Sequence, residues 1–222
     1  MLTRVSILGD SLSMPRPSEG IVYESTYPFL LAENGYEVIC KSKRANDTKI
    51  QSVKQNILDD VLFLNPEIVI IHLGIVDCAP RLFKRREIRL LNLLPIRVRT
   101  IVINFFSKYR YVITKTRKIT YVNNVDYRRN LSKIIKDIQS ENRKIILIKI
   151  LDTNSSNLLR SFGFSENIKK YNEIIDDIAI ALDLDTLDPN LCNDGLLSDG
   201  IHINKKMHEY IAMKVSNLIE NV

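Results

Sequence analysis

The sequence predicts an α/β fold, a three-layer α/β/α sandwich built on a mostly parallel sheet. Three observations carry that expectation. Short β-branched apolar runs recur along the 222 residues. Longer stretches with apolar residues at helical spacing separate them, and glycine or proline marks many of the boundaries. Strands and helices alternating in this way assemble into parallel sheets through right-handed crossovers.

Residues 5–8 (VSIL) read as the first strand, ended by Gly9. Residues 23–34 read as a helix, stopped by Gly35 where a left-handed backbone is wanted. Residues 36–41 (YEVICK) are a second strand. Residues 50–64 place Ile50, Val53, Ile57, Val61 and Leu64 at helical spacing, and Pro66 prevents continuation. Residues 68–73 (IVIIHL) are nearly all apolar, as a central strand buried on both faces requires, and Gly74 ends them. Residues 127–141 carry the amphipathic pattern of a helix at Leu131, Ile134, Ile135 and Ile138. Residues 144–151 (KIILIKIL) are another buried strand. Residues 168–182 repeat the helical spacing, residues 184–187 read as a short edge strand, and Lys205–Glu220 closes as a helix. The chain is thus read as one domain, 1–222, with four or five strands.

Composition agrees. With 45% hydrophobic and 26% charged residues, a chain of this length can bury a core without metal or disulfide staples. Cys40, Cys78 and Cys192 are scattered and fit neither a disulfide framework nor a metal knuckle, so they are expected to be small buried apolar residues. The N-terminus lacks the pattern of a signal peptide, and no apolar stretch is long enough to span a bilayer. The expectation is a cytoplasmic protein rather than a secreted, disulfide-built or integral membrane one.

The net charge of +6 is unevenly spread. Residues 81–129 hold 14 Lys or Arg against Glu87 and Asp126, a local charge of +12, and the rest of the chain carries −6. Within this window, residues 82–125 form a connection after the third strand far longer than ordinary. Apolar pairs such as Leu93-Leu94 and Phe105-Phe106 alternate there with Arg97, Arg99, Lys108 and Arg110. This predicts a basic cap of one or two amphipathic helices at the sheet rim, with Pro95 as a break or helix start. Its roles are an anionic membrane surface, an acidic or lipid-linked glycan substrate, or a cap with a solvated basic face; a homo-oligomer is a further option. Nucleic acid is not expected, since no nucleic-acid module accompanies the charge.

In parallel sheets the ligand site lies at the carboxyl ends of the strands. Four polar segments fall there or before the last helix: Gly9-Asp10-Ser11, Arg44-Ala45-Asn46-Asp47-Thr48, Gly74-Ile75-Val76-Asp77 running on to Arg81, and Asp199-Gly200-Ile201-His202. A serine at a strand-to-helix junction suits a nucleophile, because its hydroxyl projects from the rim beside backbone N–H groups. His202, in a polar loop with Asp199 three residues earlier, can serve as its base, the carboxylate fixing the imidazole tautomer. Of the other histidines, His72 ends an apolar strand and reads as a satisfied core residue, and His208 reads as exposed on the last helix. Asp10 reads as a helix cap, Asp77 as a brace for the site loop, and Gly9 as a conformational glycine for the turn before Ser11.

The GDS at residues 9–11 and the DGIH at residues 199–202, in this order and context, resemble the SGNH or GDSL hydrolase family. The resemblance implies a flavodoxin-like sheet and a serine esterase or acyltransferase working on acyl esters, O-acetylated carbohydrate among them, with no metal or organic cofactor. It implies Ser11 as nucleophile, His202 as base and Asp199 as orienter. Two positions depart from the family. Asn46 stands where the second family block offers glycine, and Val76 stands where the third block has the asparagine that donates to the oxyanion. Losing one such donor commonly costs about 100- to 1,000-fold in rate. The candidate substitutes are the Ser11 backbone N–H, the Asn46 amides and the Arg81 guanidinium; Gly9, Asp10, Gly74 and Asp77 complete the candidate site. Arg81 reads either as a clamp for a substrate carboxylate or phosphate, or as a salt-bridge partner of Asp77 or Asp47.

The leading expectation is an SGNH-type esterase or O-acyltransferase on an acylated carbohydrate, in bacterial surface-polysaccharide assembly, at the inner face of the membrane if its basic cap docks there. The rivals are a catalytically degenerate protein of the same fold that binds an anionic glycan or membrane partner, and a small-molecule transferase using Arg81 as an anion clamp.

Overall fold

The structure, a computed structural model, describes residues 2–139 and 143–220. Its first strand, β1 (Arg4–Gly9), leads into a one-turn 3₁₀ helix at Ser11–Ser13. There follow α1 (Tyr27–Glu33), β2 (Glu37–Cys40), α2 (Thr48–Gln51), α3 (Lys54–Asp60), β3 (Ile68–His72) and α4 (Ile75–Cys78). The long connection holds α5 (Arg85–Leu91), α6 (Ile96–Lys108) and α7 (Arg110–Arg117). The chain then runs through α8 (Asn124–Ile138), β4 (Lys144–Ile148), α9 (Ser155–Arg160), α10 (Phe164–Leu182), β5 (Asp185–Leu187) and α11 (Lys205–Glu220).

The five strands form one parallel sheet in the order β2-β1-β3-β4-β5, the flavodoxin-like arrangement. Register runs Val5 beside Ile68 and Ile70 beside Ile146. Every residue of β3 is buried, because helices cover both faces of the sheet. α1 packs against α11, while α8 packs against α2, α3 and α10. This grouping is what right-handed crossovers dictate for that strand order, with α1 and α11 on one face and α2, α3, α8 and α10 opposite. Tyr27, Ile70, Ile134 and Ile146 are wholly buried in the resulting core.

Several predicted elements come out differently. The helix expected over 23–34 begins only at Tyr27, after a 3₁₀ turn at Tyr23–Ser25, because the Pro28 ring would clash with the carbonyl four residues earlier. The helix expected over 50–64 is split into α2, α3 and a 3₁₀ turn at Leu62–Leu64. Buried Gln51 turns inward to the Asn46 and Asp60 side chains, and Asn56 Nδ2 donates to the Ile50 carbonyl at the end of α2. α8 starts at Asn124 on an Asn123 cap; the predicted extension to Ser140 and Glu141 lies outside the described residues. α10 begins four residues before the expected start, after Gly163 in the left-handed region. The short helix α9, capped by Asn154, was not anticipated. Cys40 is exposed and Cys192 half-buried, so only Cys78 is the buried small residue expected of all three.

Candidate active site

The loops after β1, β2, β3 and β4 meet the segment before α11 at the carboxyl rim. Asp10 caps the 3₁₀ turn after β1, its Oδ1 accepting from Leu12 N–H at 2.9 Å. That turn presents Ser11, whose N–H is the first amide of the turn and has no acceptor within it. Ser13 Oγ lies between the Asp10 carbonyl at 3.1 Å and Ser42 Oγ at 2.5 Å, tying the turn to the loop after β2. Gly9 has an ordinary negative φ, which corrects the conformational reading. A Cβ there would lie 2.6 Å from both serine hydroxyls, so close approach is what demands glycine.

Ser11 Oγ is 3.0 Å from His202 Nε2, and His202 Nδ1 is 2.6 Å from Asp199 Oδ2. The carboxylate can only accept, so Nδ1 carries the proton of the neutral imidazole and Nε2 is left to accept from the Ser11 hydroxyl. Asp199 Oδ1 accepts from Ile201 N–H and His202 N–H at 2.9 Å each, which locks the carboxylate against the ring. Partial burial works against the charged form of Asp199, but these hydrogen bonds outweigh it and hold the pKa below the usual carboxylate range.

The loop after β4 supports this turn. Asn157 Nδ2 donates to the Asp199 carbonyl at 2.7 Å, and Thr153 Oγ1 donates to the Gly200 carbonyl at 2.7 Å. Gly200 has φ +67°, and a Cβ would fall 2.2 Å from the Asn154 side chain, so turn and support fit only with glycine. These positioning residues escaped the sequence reading. The run Thr153-Asn154-Ser155-Ser156-Asn157 does carry a helix-cap signal that could have located α9, but nothing in it points to residue 199.

The remaining candidates sort into bracing and packing. Asp77 is fully buried and its Oδ1 accepts from Thr48 N–H at 3.0 Å and Thr48 Oγ1 at 2.5 Å, which braces the loops after β2 and β3. Burial pushes both Asp77 and Asp10 up to about 7, against the hydrogen bonds they accept. Gly74 (φ +145°) caps α4, where a Cβ would strike Ile150 Cδ1 at 2.6 Å. Asn46 cannot serve as the oxyanion donor: its Nδ2 donates to the Gly9 carbonyl and to Gln51 Oε1, and its backbone N–H donates to the Lys43 carbonyl.

Arg81 does not form the salt bridge expected of it. It makes no ion pair with Asp77 or Asp47; its Nη2 donates to the Val76 carbonyl at 3.1 Å, and its guanidinium lies over the Tyr121 ring, 4.4 Å from the centroid. Asp47 pairs instead with Arg85, whose guanidinium covers the same ring. Both the Val76 carbonyl and Tyr121 are protein partners, while the buried Arg81 Nε has none among the described residues.

His72 is a core residue as expected, its Nδ1 3.3 Å from the Tyr27 hydroxyl. His208 is not exposed: it is buried, and its Nδ1 accepts from Tyr27 N–H at 3.1 Å. Burial lowers His72 to about 3 and His208 to about 4, so both stay neutral in the core.

The basic connection contains three helices rather than one or two, and Pro95 caps α6. It is tied down at its ends. Arg81 and Ile119 form an antiparallel bridge, Arg110 donates to the Pro80 carbonyl and Ser161, and Arg117 donates to the Leu82 carbonyl and pairs with Glu87.

No family model matches the sequence, and no curated protein matches it. Solved structures do match in fold. A GDSL-like lipase from Bacteroides thetaiotaomicron aligns with TM-score 0.66 at 16% identity, covering 99% of this chain and 88% of that one. A lipase/acylhydrolase from Enterococcus faecalis aligns with TM-score 0.69 at 16% identity, covering 99% and 96%. A carbohydrate acetylesterase family member from Sinorhizobium meliloti aligns with TM-score 0.67 at 14% identity, covering 99% and 97%. At such identities the likeness is one of architecture, and it spans the whole sheet and its helices: the chain has the fold of the SGNH/GDSL hydrolases.

Proposed function

We propose that the protein is a serine esterase of the SGNH type. The observation that supports it is the continuous relay from Ser11 Oγ through His202 to Asp199, at 3.0 and 2.6 Å, between residues from opposite ends of the chain. Ser11 Oγ attacks an ester carbonyl while His202 Nε2 takes its proton. Asp199 stabilises the imidazolium so formed. His202 then returns the proton to the departing alkoxide, leaving an acyl-serine, and water or a sugar hydroxyl resolves it by the reverse proton movements. In this reading the Ser11 N–H donates to the oxyanion. Val76 contributes no side-chain donor, so turnover is slow beside an enzyme with a full oxyanion hole.

The substrate class that fits is an O-acetylated carbohydrate; one protein of similar fold is a carbohydrate acetylesterase family member. The basic connection favours an anionic or lipid-linked glycan, as in bacterial surface-polysaccharide assembly on the cytoplasmic side of the membrane. Whether water or a sugar accepts the acyl group separates esterase from O-acetyltransferase. The missing side-chain donor at Val76 also favours a second reading, a degenerate relative that binds acylated glycan without turning it over.

Fluorophosphonate labelling of the protein and of Ser11→Ala, alongside p-nitrophenyl acetate turnover, separates the two. Labelling and turnover that disappear with Ser11 are expected. Absence of both from the unmutated protein sinks the esterase reading and leaves the binding one.

A further inference from the structure

α6 is a 13-residue helix with no buried residue, yet seven of its side chains are apolar, three are cationic and none is acidic. A helix of that composition is ordinarily buried or partnered. One flank meets the protein, where Phe106 packs at a tilt against Phe83 with ring centroids 4.6 Å apart. The stripe formed by Val98, Ile101 and Phe105, spaced three and four residues apart, is left in solvent; Ile101 is 69% and Phe105 58% exposed. Helical geometry places Arg97 one turn before Ile101 and Lys108 one turn after Phe105, along the edge of that stripe. Leu90, in the last turn of α5, and Leu93, just beyond it, are likewise exposed, at 65% and 81%.

The charge around this stripe selects what can cover it. Residues 84–118 hold 11 Lys or Arg and one acidic residue, Glu87. Among the described residues, Arg86, Arg89, Arg97, Arg99 and Lys108 have no ion-pair partner within 4.0 Å. A second copy pairing through the same stripe would bring one segment of net charge +10 against another. A nucleic acid would meet the cations but leave the aliphatic and phenyl groups without a partner. An anionic bilayer surface satisfies both, since phenylalanine and isoleucine enter the acyl boundary while flanking arginines and lysines reach the lipid phosphates.

We propose that α6, with the end of α5, docks the protein on anionic lipid bilayers, lying in the interface with Val98, Ile101 and Phe105 inserted. The inference is independent of the esterase reading, because it uses no residue of the Ser11 site. It requires electrostatic attraction and apolar insertion together, so binding to phosphatidylcholine alone is weak and binding to anionic lipid falls as salt rises.

The chain contains no tryptophan, so Phe105→Trp introduces a single fluorescent reporter on the stripe. Ile180→Trp, on the exposed face of α10, is the control. With vesicles of phosphatidylcholine containing about 30% phosphatidylglycerol, the residue-105 reporter is expected to shift to the blue and to be quenched by bromine-labelled acyl chains, and the residue-180 reporter to do neither. In flotation, Ile101→Glu with Phe105→Glu should weaken binding by about tenfold or more, because both side chains lose their apolar insertion. Since both positions are exposed, circular dichroism should match the unmutated protein. Three results would overturn the proposal: no binding to the anionic vesicles, binding with no blue shift at residue 105, or a blue shift that follows protein concentration without lipid. The last would show that a second copy covers the stripe.

Discussion

Replacing Asp199 by asparagine tests the relay at the atom that sets its direction. In the native turn, Asp199 Oδ1 accepts two backbone N–H groups and Oδ2 faces His202 Nδ1 at 2.6 Å. Asparagine can keep the two backbone hydrogen bonds only by leaving its carbonyl oxygen at Oδ1. Its NH₂ then occupies the Oδ2 place and donates to Nδ1. The neutral imidazole must respond by carrying its proton on Nε2, which points at Ser11 Oγ and can no longer take the serine proton. The turn itself should persist, since the lost interaction is partly solvent-exposed and worth about 1 kcal/mol or less to stability. Catalysis should not: a wrong tautomer in such a relay costs about 10³- to 10⁴-fold in kcat, or about 4 to 5.5 kcal/mol of transition-state stabilisation. KM should move little, because the substrate does not touch Asp199 in this reading. Steady-state hydrolysis of p-nitrophenyl acetate and the rate of fluorophosphonate labelling both measure the effect. An Asp199→Asn protein that keeps more than about a tenth of either rate would refute the tautomer reasoning, and with it the role of Asp199.

Val76→Asn supplies the side-chain donor that the SGNH/GDSL resemblance implies at this position; under the proposed mechanism kcat should rise by about tenfold or more, and an unchanged rate would mean the position does not reach the oxyanion. Gly9→Ala sets a methyl group 2.6 Å from the Ser13 and Ser42 hydroxyls. Thermal unfolding should show a loss of about 1 to 3 kcal/mol, and adding Ser42→Gly should recover part of it. Asp77, with a folded pKa near 7 against the ordinary 3.8, holds its proton where the unfolded chain releases it. Its contribution to stability is therefore full below about pH 4, declines as pH rises to 7, and then levels off. Buried His72 and His208 act oppositely: the unfolded chain protonates below its ordinary 6.5 while the folded imidazoles stay neutral to about 3 and 4, so stability falls with acid. Removing one of the opposing carboxyls with Asp77→Asn should make urea-measured stability rise more steeply from pH 4.5 to 7 than in the unmutated protein. Equal slopes would mean that Asp77 is ionised in the folded state.

The order of amino acids alone makes legible the alternation of strands and helices, the buried character of β3 and β4, and the pairing of Ser11 with the His202 turn. Those features rest on short-range signals: apolar periodicity, glycine and proline boundaries, and two motifs each contained within four residues. Tertiary structure decided what depends on a partner far along the chain. Asn157 supports the Asp199 turn across 42 residues. Arg85, not Arg81, pairs with Asp47 across 38. His208, surrounded by polar neighbours in sequence, is buried by α1 and accepts from Tyr27 across 181. The breaks in the predicted helices have the same origin where Gln51 turns inward to Asn46 and Asp60. A side chain's neighbours on its own helix or strand follow from chain geometry, but its partner in a buried network follows from which surfaces the sheet brings together, and periodicity carries no information about that.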